Sequence, residues 1–309
     1  MIVKFYKNKF SGRTLIMLTV VFKSFLLFSG ISYLLVIIFE FYKHRQAVKN
    51  EKGNIYWLGA TEVVTWFLAS FGVSDTALNM LFFRLKKTVE IKELPGTIYI
   101  AATVPMCFMS YAYMGTIDVQ ITTLCVLAAS QALGAFLGSK FITKMDISKI
   151  KLFMGCALIG SAFLIFAKQF LMHVEGGMLV GLPPLQLVFA SVIFTVLGIL
   201  TIAGLGATTI NISMLSILGM HPVAIYSIVM TANALGCIVA SANFIRVGQY
   251  HKKAALSASI FGVLGVLAAV TLVKSVDLEV VQIMMILVLL YSAFSLLYTP
   301  KTKNNTLQS

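Results

Sequence analysis

Hydrophobic residues run almost unbroken through nine stretches of this chain, roughly 15–39, 55–83, 96–114, 119–141, 150–172, 185–218, 224–245, 254–273 and 280–298. A transmembrane helix needs about 20 apolar residues, and at a rise of about 1.5 Å per residue most of these stretches suit one crossing. Two do not. Stretches 55–83 and 185–218 are too long for a single helix, and each carries a polar break. The first reads Phe71-Gly72-Val73-Ser74-Asp75-Thr76, the second Gly204-Leu205-Gly206-Ala207-Thr208-Thr209-Ile210-Asn211. Glycine followed by small polar residues unwinds a membrane helix and turns its amide groups toward whatever sits there. Two such interruptions in corresponding positions of two halves are the sequence mark of a transporter binding site.

Loop charges then constrain the path. Loop 84–95 holds Arg84, Lys86, Lys87 and Lys92, and loop 140–151 holds Lys140, Lys144, Lys149 and Lys151, whereas 114–118 between them has neither Lys nor Arg. The positive-inside rule puts the two basic loops in the cytoplasm. In the second half 246–253 holds Arg246, Lys252 and Lys253, and the tail holds Lys301 and Lys303. By contrast 219–223 has none, and 274–279 has only Lys274. Nine alternating crossings would set 84–95 and 246–253 on opposite sides. The conflict disappears if 185–218 enters and leaves on one face as a broken hairpin. With 55–83 doing the same, each half is one broken, re-entrant helix plus three spans. Three is odd, so the halves are inverted.

The predicted fold is therefore an all-α polytopic membrane protein forming one integral membrane domain. An N-terminal helix and loop (1–54) precede repeat 1 (55–172) and repeat 2 (185–298), and a polar tail (299–309) follows. In either orientation of the first helix, one basic flank, 4–13 or 43–52, breaks the charge rule. The repeats pair Gly72 with Gly206, Ser74 with Thr208, Asp75 with Thr209 and Asn79 with Ser213. Further on, Met114-Gly115-Thr116 parallels Val247-Gly248-Gln249. Helices rich in small residues follow, with Gly134 and Gly138 in one and Gly262 and Gly265 in the other. Small residues let membrane helices approach closely.

Composition agrees. The chain of 309 residues is 59% hydrophobic and 11% charged, against about 25% charged in a soluble domain. The short alternating strands of a β-barrel are missing from the pattern. The net charge of +13 suggests nucleic acid, but the basic residues sit in short loops beside apolar stretches, so no nucleic-acid partner is expected and the lipid bilayer is. Cys107, Cys125, Cys156 and Cys237 fall in apolar stretches without metal-ligand spacing and read as small core residues. The four histidines lie in loops, so neither metal nor cofactor is expected. Lys4, Lys7, Lys9 and Arg13 precede an apolar run too long for a signal-peptide core, which is read as a retained helix.

An anion held in a membrane needs donors without a buried Lys or Arg, and unwound amides and half-helix N-termini supply them. The candidate substrate-binding residues are Gly72, Ser74, Thr76 and Asn79 at the first break, and Gly204, Gly206, Thr208, Thr209, Asn211 and Ser213 at the second. The same groups also serve to satisfy freed backbone or to join helices. Asp75, deep in its stretch, is the candidate for a coupling proton or ion, or else caps the second half-helix. Glu62 is expected to snorkel or to make a packing contact. Ser130, Gln131, Ser227, Thr231 and Asn233 read first as helix–helix hydrogen bonding, with Asn233 able to face the second break. No P-loop is present, and no nucleophile or metal constellation marks an enzyme.

The second half resembles the sulfite exporter TauE/SafE family of anion permeases. The features that carry the likeness are Gly204–Gly206, Leu218-Gly219-Met220-His221-Pro222, Ala224 and Ser227, the Gly248 turn and the glycine-rich helix after it. The first half is similar through Gly72, Gly96-Thr97, Gly115-Thr116-Ile117-Asp118, Gly134, Gly138 and 145–152. Family members carry further glycines and a proline where this chain has Ala207, Thr208 and Ser213. The resemblance implies a multi-pass plasma-membrane carrier of a small anion such as sulfite or a sulfonate, with a cytoplasmic C-terminus. It leaves open a neutral or cationic solute with Asp75 as counter-charge, a membrane scaffold that transports nothing, and assembly as a homo-oligomer.

Overall fold

A computed structural model describes residues 12–297 apart from 72, 114–118, 172–176, 206, 273–289, 292 and 295–296. Among the described residues all regular structure is α-helical, save one isolated parallel bridge between Leu179 and Met220. The helices are α1 (Gly12–Lys43), α2 (Arg45–Asn50), α3 (Ile55–Ala69), α4 (Asp75–Leu85), α5 (Leu94–Tyr113), α6 (Ile121–Ile142), α7 (Ile147–Leu171), α8 (Pro184–Thr201), α9 (Ala207–Ile217), α10 (Pro222–Val247) and α11 (Lys252–Leu272). Helical turns within 290–297 follow. Five helices, α1, α6, α8, α10 and α11, are long and apolar enough to cross a membrane. The long stretches 55–83 and 185–218 are each split into two helices, as the breaks predict. Helix α2 was not expected: it is polar but for Val48, which is buried.

At the centre stand α5 and α10, packed antiparallel. Thr103 and Ser241 share a hydrogen bond of 2.8 Å, and Ser110 and Thr231 one of 3.2 Å. Each hydroxyl thus finds a partner across the helix pair, which buried polar groups require. Two parallel seams flank this pair, α3 against α11 and α6 against α8. Both depend on glycine. A Cβ on Gly134 of α6 would fall on the Thr195 carbonyl and lie 2.9 Å from Gly198 Cα of α8. A Cβ on Gly265 of α11 would fall on the Val63 carbonyl of α3, and one on Gly262 would meet Pro105 and Trp66. Such close backbone approach is how membrane helices gain packing energy without a hydrophobic drive between them. Outside, α1 exposes Phe28, Leu35 and Phe39, and α8 exposes Leu185, Val188 and Phe189, apolar faces that suit lipid.

The bundle has two unlike ends. At the first, Gln249 Nε2 donates to the Thr143 carbonyl (3.3 Å) and the His251 amide donates to Thr97 Oγ1 (2.9 Å). The Glu51 carboxylate accepts from the amides of Lys252 and Lys253, at 3.2 and 2.7 Å, and so caps α11 from another segment. Burial pushes the imidazole of His251 below the usual histidine range, against the pull of Glu51. The basic loops 84–95, 140–151 and 246–253 lie at this end. At the other end, the Gln120 amide donates to the Val180 carbonyl (2.8 Å) and the Leu182 amide to Thr123 Oγ1 (3.0 Å). Neither Lys nor Arg occurs in 177–184 or 218–223. Helix α1 runs from end to end: Lys23 lies over the Tyr111 ring (5.4 Å) near the uncharged end, while Arg45 and Lys49 share a 390 Å³ hollow with Lys253 at the basic end.

Each split helix returns to the end it left. Thr88 lies beside Gly53, and Lys86 Nζ sits 5.1 Å over the Trp57 ring, so both ends of α3–α4 are at the basic end. The strand-like segment before α8 pairs with the turn after α9: Gly177 and Leu179 amides donate to the Met220 and Gly219 carbonyls, both at 3.0 Å.

The glycine seams give a stability prediction. Gly134→Leu forces α6 off α8, and overpacking of this kind costs about 1–3 kcal/mol. Thermal unfolding in detergent should show a lower Tm for Gly134→Leu than for Leu133→Ala, whose side chain is 53% exposed.

Candidate functional site

The two breaks are built alike. At the first, α3 closes with the Phe71 amide donating to the Leu68 carbonyl (3.0 Å) and the Val73 amide donating to the same carbonyl (3.3 Å). At the second, the Ala203 and Leu205 amides donate to the Leu200 carbonyl at 3.0 and 3.4 Å. The longer bond of each pair spans five residues, the signature of a Schellman-type helix end. Between Ala203 and Leu205 stands Gly204 with φ +97°, a conformation only glycine adopts without strain. Leu68 therefore corresponds to Leu200 and Val73 to Leu205, and α4 and α9 begin at the matching residues Asp75 and Ala207. This register differs by two from the pairing of Gly72 with Gly206. It sets Thr76 opposite Thr208 and Asn79 opposite Asn211. Gly72, opposite Gly204 in sequence, and Gly206 both lie outside the described residues.

The breaks meet. A Cβ on Gly204 would lie 3.5 Å from Thr76 Cγ2. Beside them is a cavity of about 40 Å³, lined by Asp75 and Thr76 of α4, Thr208 of α9, Gly198 and Thr201 of α8, Gln131 and Ala135 of α6, and residues of α5 and α10 that include Tyr99, Asn233 and Cys237. Asn233 Nδ2 donates to Thr208 Oγ1 at 3.0 Å. Asn233 thus faces the second break, and Gln131, expected chiefly to join helices, also faces the cavity. Among the described residues Asp75 is the one ionisable carboxylate on the lining, and none is Lys, Arg or His.

The remaining candidates stand back from the cavity. Ser74 is the N-cap of α4, its Oγ accepting from the Ala77 amide at 3.3 Å. The capping role weighed for Asp75 therefore belongs to its neighbour, and the Asp75 carboxylate, in the first turn, accepts from the Thr76 amide. Thr209 and Ser213 are half-buried and off the lining. Asn79 and Asn211 are both fully buried. Asn79 packs against Glu62. With its amide nitrogen turned toward that carboxylate it donates at 2.9 and 3.3 Å. Glu62 does not snorkel: it is fully buried on the inward face of α3, whose other face exposes Tyr56 and Val64, and it makes the packing contact instead. At the position matching Glu62, the second hairpin has Phe194, also fully buried. This explains why Asn211 has neither its amide oxygen nor its nitrogen satisfied among the described residues. The acidic groups sit on the first hairpin alone.

Comparison with family models, with curated proteins and with solved structures returns no match.

The Glu62–Asn79 pair gives a coupling prediction. Asn79→Ala strands a buried carboxylate and should destabilise the protein by about 1–3 kcal/mol. In a Glu62→Phe background, which copies the second hairpin, the same change should cost clearly less. A double-mutant cycle on thermal unfolding reads the coupling; additive effects would mean the two side chains do not interact.

Proposed function

We propose that this chain is a secondary carrier that passes a small solute through the cavity between the two breaks by alternating access. The observation that carries the reading is the meeting of Gly204 with Thr76, two break residues far apart in sequence, beside a cavity that both breaks line. Inverted repeats support it. Exchanging α3 with α8, α4 with α9, α5 with α10 and α6 with α11 turns the α3–α11 seam into the α8–α6 seam. The same exchange turns the α10–α6 packing into α5–α11 and maps the α5–α10 pair onto itself. One hairpin enters from the basic end and the other from the uncharged end. By the positive-inside rule the basic end is cytoplasmic, and the hairpin tips meet near the midplane, where carriers of this kind hold their solutes. Rocking one half against the other would open the cavity to each face in turn.

The favoured solute is a small anion of the sulfite or sulfonate class. The N-terminal end of α9, the Thr208 hydroxyl and the Asn233 amide are its donors, and the partial positive charge of a helix N-terminus suits it. The likeness to sulfite exporters rests on the order and duplication of the glycine-bearing breaks. A neutral or cationic solute is the second reading, favoured by Asp75 and by a lining whose described residues include no basic side chain.

Proteoliposomes carrying the protein should accumulate radiolabelled sulfite or a short sulfonate. Thr208→Val and Asn233→Ala each remove one donor and should cut uptake by about tenfold, the size of a lost hydrogen bond of about 1.4 kcal/mol. If no anion is taken up while a neutral or cationic solute is, the anion reading falls and the second reading takes its place.

A further inference from the structure

The cavity lining is richer in acceptors than a site for an anion alone requires. Asp75 contributes a carboxylate, which only accepts. Gln131 is 2% exposed, and its Oε1 has no hydrogen-bond partner among the described residues. Thr201 gives its hydroxyl proton to the Leu197 carbonyl one turn back, so only lone pairs of its Oγ1 remain to face the cavity. Thr201 also closes α8, whose C-terminal carbonyl end carries partial negative charge. Three side chains from three helices thus offer oxygen lone pairs to one small space. A half-buried carboxylate inside a bundle without a cationic partner is costly, and an orphaned buried amide oxygen adds to that cost.

We propose that this space binds one small monovalent metal cation, of the sodium class, through Asp75, the Gln131 Oε1 and Thr201. Hard cations take oxygen ligands of this kind. The space of about 40 Å³ exceeds the roughly 10–15 Å³ that holds one water molecule. It therefore admits a dehydrated ion. One carboxylate matches one positive charge, whereas a divalent ion would leave a net charge buried in the bundle. A proton on Asp75 would cancel the carboxylate's charge and would leave the space, with the lone pairs of Thr201 facing it, to be filled. Resting on the reading of this cavity as the transport site, the cation is the coupling ion. It sits beside Thr208 and Asn233, and it offsets the repulsion between Asp75 and an incoming anion.

The test uses the purified full-length protein in detergent with sodium alone as the probe. Binding of ²²Na⁺ is measured by scintillation proximity, and Tm is followed in NaCl against choline chloride at equal ionic strength. Saturable sodium binding with a raised Tm is expected. Asp75→Asn should weaken it by about tenfold or more, each tenfold being about 1.4 kcal/mol. Gln131→Leu, which conserves the bulk of a buried residue, should weaken it similarly. Cys125→Ser, a lipid-facing change, should leave it intact. No sodium-dependent signal in a folded wild-type protein, or binding that survives both Asp75→Asn and Gln131→Leu, overturns the proposal; the first result means that water or a proton fills the space. Solute uptake without sodium binding would sink the cation site and leave the carrier standing. Sodium binding lost in both variants, in a protein that carries no solute, would do the reverse.

Discussion

A helix that stops inside a bundle leaves amides and carbonyls that must find partners within the protein, because lipid offers none. That constraint governs everything around the two breaks. Each break closes its first half-helix with bonds back to a leucine carbonyl, Leu68 or Leu200. Ser74 opens α4 as a capping residue, and the Tyr113 hydroxyl reaches from α5 to the Ser70 carbonyl. The cavity lies beside these closures, lined by Asp75, Thr76 and Thr208 from the first turns of the second half-helices.

The frame that holds the tips together is made of small residues. Because Gly134 and Gly198 allow α6 and α8 to touch backbone to backbone, and Gly265 does the same for α11 and α3, each hairpin is braced by a helix of the other half. The bracing is reciprocal and leaves α5 and α10 as the shared axis. The proposed alternating access would tilt one braced unit against the other and leave both seams intact. The two breaks close alike in backbone and are unlike in charge. Where the first hairpin carries Glu62 and Asp75, the second carries Phe194 and Ala207.

Much of this architecture is legible in the sequence, for identifiable reasons. The helices show because apolar runs of membrane length leave few alternatives. The breaks show because glycine beside Ser, Thr and Asp inside such a run is chemically out of place. The register of the breaks was read two residues off. Similarity of side chains pairs Gly72 with Gly206, but what aligns the hairpins is the backbone bond to Leu68 or Leu200 and the positive φ of Gly204. Of the two expectations for Glu62, the packing contact holds and snorkelling does not, since depth along a sequence does not say which face of a helix turns inward. The facing of Gln131 and Asn233 is hidden for a related reason. Helices apolar nearly all round carry no amphipathic stripe, so the sequence holds no periodic signal of which polar residue turns inward.

The central claim is that the two hairpins enter from opposite faces and meet. Lys87 lies just after the first hairpin, and Met178, 86% exposed, just before the second. In a protein stripped of its four cysteines, Lys87→Cys and Met178→Cys should react with an impermeant maleimide from opposite sides of a sealed, uniformly oriented vesicle. Reaction of both from the same side would contradict the account.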